Sequence, residues 1–268
     1  MKKVIALIFC FLIFGQAKAG PSVGVLKTAN YNHILAKLFY IEEKGGGVSN
    51  PKVRVIRGKR VVYDKLIKIE NNTLPFQKIS PPILQDLDED WEPEIIIELS
   101  TDKNNCCNYT LIYRYDPSLR NYTYIAHDWK GIIKGRKLED IDKDGTPEFM
   151  SRDMRFLNEY GDKDGSKLPL QIWHYEKSKM IDVTSEFPEL VKADAKKFWE
   201  QFTQARKAKK YDVFMVKDTL RAYLADKYNL GQAEDGWKLV KEAYKGKDKK
   251  QFINYLENFF QTTGFKKQ

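Results

Sequence analysis

Two short stretches of this sequence concentrate carboxylates at a spacing that suits a hard cation. Asp86-Leu87-Asp88-Glu89-Asp90-Trp91-Glu92-Pro93-Glu94-Ile95 and Asp140-Ile141-Asp142-Lys143-Asp144-Gly145-Thr146-Pro147-Glu148-Phe149 align without a gap, 54 residues apart. Each has Asp at positions one, three and five, and Pro-Glu leading into an apolar run. Leu84 and Leu138, two residues ahead, match as well, so this is an internal repeat. Alternating Asp side chains curl around a cation, each giving an oxygen at about 2.3–2.6 Å. A backbone carbonyl near position seven and the carboxylate at nine would complete six or seven ligands with water. Calcium tolerates that irregular oxygen set, whereas magnesium demands near-octahedral geometry. The bland alternative is a pair of solvated acidic turns. At position six Gly145 is free to take a left-handed bend. Trp91 occupies that place in the first loop, where a positive φ costs on the order of 1 kcal/mol, so weaker binding or altered geometry is expected there. A third stretch, Asp162-Lys163-Asp164-Gly165, has Tyr160 and Leu168 at the first and ninth places and reads as a polar hairpin turn.

Strands must position these loops. Residues 52–67 alternate as a hairpin turning near Gly58, and 94–99, 110–115, 122–127, 148–154 and 170–175 are further strand candidates. They are rich in Ile, Tyr, Phe and Thr and are separated by Asp, Asn, Gly and Pro. A helix over 31–40, ended by Gly45-Gly46-Gly47, is expected before them. After residue 186 the pattern changes to apolar residues at helical spacing. Phe198 and Phe202 mark one helix, with Ser185 and Pro188 as cap and first turn. Leu220 and Leu224 mark a second, Trp237 and Val240 a third, Phe252 and Leu256 a fourth. Residues 187–268 carry 18 basic against 11 acidic side chains, while 20–186 are close to neutral. The expected fold class is therefore α+β: an antiparallel β-repeat domain over 20–186, then a helical domain over 187–268.

The chain begins as an exported protein would. Lys2 and Lys3 precede an apolar run over 4–14, and Gln16-Ala17-Lys18-Ala19 supplies a small-x-small cleavage site. The run is far shorter than the roughly 20 residues that cross a bilayer, so a cleavable leader over 1–19 and a periplasmic or secreted product are expected, with no membrane span. Three Cys exclude a disulfide scaffold or a four-cysteine zinc site. Cys106 and Cys107 are adjacent. A vicinal disulfide, two thiols and an intermolecular bond all remain open. The acceptor sequences at Asn71, Asn108 and Asn121 read as polar turns.

The two acidic loops resemble those of FG-GAP/VCBS-type repeats, the calcium-binding blade units of integrin-like β-propellers. The resemblance implicates Asp86, Asp88, Asp90 and Glu94, then Asp140, Asp142, Asp144 and Glu148, as metal ligands. It implies about three blades over residues 50–185, hence a small or partial propeller, and leaves the helices outside it. Glu stands at position nine where the family often has Asp.

No nucleophile motif or phosphate-binding glycine loop is present. His127-Asp128 could be a base with an orienting acid, but it reads as a strand-end His beside the repeat's loop. The basic run Arg206-Lys207-Ala208-Lys209-Lys210 reads as a solvated helix end, and nucleic acid is not the expected ligand of an exported chain. The leading expectation is a non-catalytic binding module with structural calcium, whose partner is another protein or an envelope polymer. The alternatives are a periplasmic inhibitor or immunity protein against a cell-wall hydrolase and, behind it, an envelope hydrolase using carboxylates.

Overall fold

A computed structural model describes residues 22–69, 75–101, 108–130, 137–157, 167–208 and 212–265. The expected leader, the Cys106-Cys107 pair, Asn71, the 162–165 turn, Lys209 and Lys210 lie outside the described residues. What is described is α+β: three antiparallel sheets followed by four helices.

The first sheet is a meander of β1 (Val23–Tyr31), β2 (Ile34–Glu42), β3 (Val48–Arg57) and β4 (Arg60–Leu66), in that spatial order. The helix expected over 31–40 is instead a β-hairpin. Ile34, Ala36, Leu38 and Tyr40 are buried while their neighbours are not, a period of two that only a strand satisfies. Asn32, at φ 50°, makes the turn. Gly46 and Gly47, both at positive φ, turn β2 into β3 rather than ending a helix. Gly58 does turn the next hairpin.

The second sheet holds β5 (Lys78–Ile79), β6 (Ile83–Gln85), β7 (Glu94–Ser100), β8 (Asn108–Asp116) and β9 (Asn121–Asp128). The third holds β10 (Lys137–Glu139), β11 (Glu148–Arg152), β12 (Leu170–Glu176) and β13 (Lys179–Asp182), again in sequential order. Strand β11 stops at Arg152, and the stretch expected to extend it to 154 enters a 3-10 turn at Met154–Phe156. Asn108 is buried on β8 rather than lying in a turn.

The near-continuous apolar run of β7 has a packing cause. Ile95, Ile97 and Leu99 face Leu38, Val53 and Val55 of the first sheet, while Ile96 joins Ile112, Phe149 and Tyr175 against the third. A strand covered on both faces has no solvent side to keep polar. The third sheet in turn meets the helices through Leu170, Ile172, Val183 and Val191.

Helices α1 (Pro188–Lys207), α2 (Val213–Asn229), α3 (Ala233–Ala243) and α4 (Lys249–Thr262) pack around Phe198, Leu220, Leu224, Trp237, Phe252, Leu256 and Phe260. Pro188 stands in the first turn of α1 as expected, but Phe187 rather than Ser185 is the capping residue, and it makes no side-chain cap. Asp212 caps α2 by accepting from the Phe214 and Met215 backbone N–H groups. Arg206 and Lys207 are exposed at the end of α1. No helix among the described residues is long and apolar enough to cross a membrane.

Asp226 sits inside this bundle, fully buried, with no hydrogen-bond partner on either carboxylate oxygen. Burial first, then the nearby charge of Asp194, push its pKa well above the usual carboxylate range, and Arg152 only partly opposes them. A carboxyl protonated more readily in the folded than in the unfolded chain contributes most below the unfolded pKa of about 3.9. That contribution is lost as pH rises toward the folded value. Asp226→Asn is therefore expected to raise the thermal midpoint at pH 8 by a few degrees, roughly 1 kcal/mol in a chain of this size. The gain should shrink toward pH 4, as calorimetry across that range would record.

Candidate metal centre

Each acidic loop joins a three-residue strand to the strand that follows, β6 to β7 and β10 to β11, and the two are built alike. The ninth-position glutamate is buried and its Oε2 accepts the backbone N–H of position two: Leu87 to Glu94 at 3.0 Å, Ile141 to Glu148 at 3.0 Å. The first-position aspartate accepts from position six, Trp91 to Asp86 Oδ2 at 2.9 Å and Gly145 to Asp140 Oδ2 at 3.2 Å. The fifth accepts from position seven, Glu92 to Asp90 at 2.9 Å and Thr146 to Asp144 at 2.8 Å. Positive φ recurs at position four in Glu89 and Lys143, and at position six in Trp91 and Gly145. Trp91 thus takes the left-handed bend despite its side chain, which is 92% exposed.

These turns aim oxygens inward. In the second loop Asp140, Asp142 and Glu148 each offer a carboxylate oxygen within 4.8 Å of the others. Asp140 Oδ1 is shielded from solvent and has no hydrogen-bond partner. Asp144 spends its Oδ1 on the Thr146 N–H and hydroxyl, which hold its pKa below the usual range. Burial raises the pKa of Glu148, and the Asp142 and Asp144 charges add to that. Clustered carboxylates of this kind could hold a metal ion. In the first loop Asp86, Asp88 and Asp90 converge in the same way, and Glu94 is pushed up to about 8, chiefly by burial.

Two residues of these centres carry no signal in the loops themselves. Ile95 faces Tyr113 across the β7–β8 pair, and Phe149 faces Trp173 across β11–β12. One step along each ladder, Arg114 lies beside Glu94 and His174 beside Glu148. Arg114 donates to Asp88 Oδ2 and to Asp90 Oδ2, the latter at 2.5 Å, and lies 3.7 Å from Glu94 Oε1. Burial works against its charge, but the Asp88 hydrogen bond and the Asp88, Asp90 and Glu94 charges outweigh it and raise its pKa. His174 Nδ1 lies 3.8 Å from Glu148 Oε1.

His127 has Asp128 beside it, whose carboxylate meets Lys130 at 3.0 Å. Its ring is wedged between Trp129 and Trp173 at 4.4 and 4.7 Å, and burial pushes its pKa down to about 4. It lines a cavity of about 370 Å³ with Asp153, Arg155, Gln171 and Asp182, apart from both acidic loops.

The two loops lie against each other. A Cβ added to Gly145 would meet Glu89 Oε1 of the first loop at 2.4 Å, at a φ of 105°. Gly145→Ala is expected to destabilise the protein by about 1–2 kcal/mol through backbone strain at that φ, the exposed end of Glu89 being free to swing aside. Denaturant titration would check it, and adding Glu89→Ala should restore little of the loss.

Residues 191–264 match the family model described as the sll0997 C-terminal domain. A protein described as a probable thylakoid lumen protein, sll0997 of Synechocystis sp. (strain ATCC 27184 / PCC 6803 / Kazusa), is 24% identical over 238 residues, which are 84% of this chain and 65% of that protein. An uncharacterized protein, y4bJ of Sinorhizobium fredii (strain NBRC 101917 / NGR234), is 28% identical over 162 residues, which are 57% of this chain and 23% of that protein. The chain therefore spans less than two thirds of either relative. No solved structure matches. The chain is a distant homologue of the probable thylakoid lumen protein, carrying β-sheet domains and an sll0997-type C-terminal helical domain.

Proposed function

We propose that this protein is an exported, non-catalytic binding module in which calcium is a structural ion held by the second acidic loop. One observation carries this reading: Asp140, Asp142 and Glu148 converge within 4.8 Å while Asp140 Oδ1 stays buried and unpartnered. An all-oxygen set of carboxylates with irregular spacing suits calcium better than magnesium or a softer metal. Asp140, Asp142, Asp144 and Glu148 would hold the ion. Its charge would neutralise the cluster and fix the start of β11.

Export is supported by the leader-like pattern of residues 1–19 and by the description of the Synechocystis relative as a probable lumen protein. Two four-stranded meanders and a five-stranded antiparallel sheet, each a blade-sized unit, support the propeller-like reading. The ligand of such a module would be another protein or an envelope polymer, presented to a surface that the loops stiffen.

The test is a thermal melt in EDTA and in about 1 mM calcium, repeated with magnesium and with Asp140→Ala/Asp144→Ala. A site with a dissociation constant of roughly 10 μM adds about 2.7 kcal/mol at that concentration, a rise of several degrees. The rise should be specific to calcium and absent from the double variant. Equal melting with and without calcium would overturn the reading.

A further inference from the structure

The two loops share one backbone but not one electrostatic solution. In the second, among the described residues, no lysine or arginine forms a salt bridge to Asp140, Asp142 or Asp144. In the first, two arginines close on the acids. Arg57 of β3 grips Glu92 through both carboxylate oxygens, with Nη2 to Oε2 at 2.9 Å, and lies 4.0 Å over the Tyr115 ring. Arg114 spans Asp88 and Asp90 and faces Glu94.

We propose that the Arg114 guanidinium is a built-in cation that fills the first loop in place of a metal ion, so that the residue at this strand position decides which loop is a metal site. The geometry is direct. A calcium ion in the first loop would need oxygens of Asp88 and Asp90 at about 2.3–2.6 Å, and the Arg114 nitrogens already hold Oδ2 of each, while Asp88 Oδ1 and Glu94 Oε1 stay buried without a hydrogen-bond partner. An incoming ion would also face a fixed positive charge that arginine cannot lose at any physiological pH. His174, at the matching position of the second loop, reaches only Glu148, and at 3.8 Å. The first loop therefore keeps its shape without metal. The protein as a whole takes one calcium ion, not two; that total, unlike the claim about the first loop, rests on the calcium reading of the second.

Calcium stoichiometry of the purified protein, measured by titration calorimetry, tests this. The wild type should bind one ion and Arg114→Gln two, with the added ion lost again when Asp88→Asn/Asp90→Asn is combined with it. Trp173 stands beside the second loop, so the wild type already gives terbium emission excited through tryptophan, and Arg114→Gln should add to it. Should that variant not fold even in calcium, Asp88→Asn/Asp90→Asn in the wild-type background decides. It should leave the stoichiometry at one and the affinity within about twofold. A wild type binding two ions, one of them lost in Asp88→Asn/Asp90→Asn, overturns the proposal, as does a folded Arg114→Gln that gains no site. A wild type that binds none defeats the calcium reading of the second loop alone. Arg114→Gln gaining its first ion would still support the role of Arg114.

Discussion

Carboxylates converging within a few ångströms repel one another unless a positive charge stands among them, and the centre of this protein is arranged around that requirement. Each loop folds by having its first and fifth aspartates accept backbone N–H groups of the turn. The outcome is two negative foci beside the interface between the second and third sheets. One is met by a guanidinium carried on the neighbouring strand. The other has a histidine at that place; buried oxygens without a hydrogen-bond partner occur in both, Asp88 Oδ1 and Glu94 Oε1 in the first and Asp140 Oδ1 in the second. A single strand position thus separates a loop with a guanidinium among its acids from one without.

The sheets depend on these loops because each one starts the strand most deeply packed in its unit. Glu94 opens β7 and Glu148 opens β11, and both glutamates are buried while anchoring the turn before them. The order of layers follows from the alternation along β7: odd-numbered isoleucines face the first sheet, and Ile96 faces the third. A shift of one residue at the loop would exchange these faces, so the loop sets the register of the core.

Much of this was legible in the sequence, for identifiable reasons. The Asp repeat, the strand alternation of β3, β4, β7, β8, β9 and β12 and the four apolar helical stripes are local signals, and each element forms where its period indicates. The hairpin of β1 and β2 was missed because a short apolar run looks alike at either period until a pairing partner selects one, here β3. Arg114 and His174 were missed because nothing local marks them. They stand 60 residues apart while the loops stand 54 apart, the segments joining β7 to β8 and β11 to β12 being unequal in length. Simple self-alignment of the repeat therefore slips before it reaches them. Only strand register brings them to the loops.

The helical domain is not an appendage to this arrangement. Strand β11 is five residues long, from Glu148 in the second loop to Arg152, and Arg152 reaches Asp194 of α1 at 2.5 Å. Asp194 also accepts the Leu170 backbone N–H at 2.9 Å, which ties the start of β12 to the same carboxylate. Beyond the strand, Arg155 donates to the Thr263 carbonyl after α4 at 2.6 Å, and Arg221 of α2 to the Phe156 carbonyl at 2.7 Å. An interior this tightly packed transmits strain rather than absorbing it. The acidic loop, the central strand of the third sheet and the first, second and fourth helices therefore form one mechanical path. The strand that the helices are fastened to begins in the acidic loop, so whatever fixes that loop acts on the far end of the chain without any contact there.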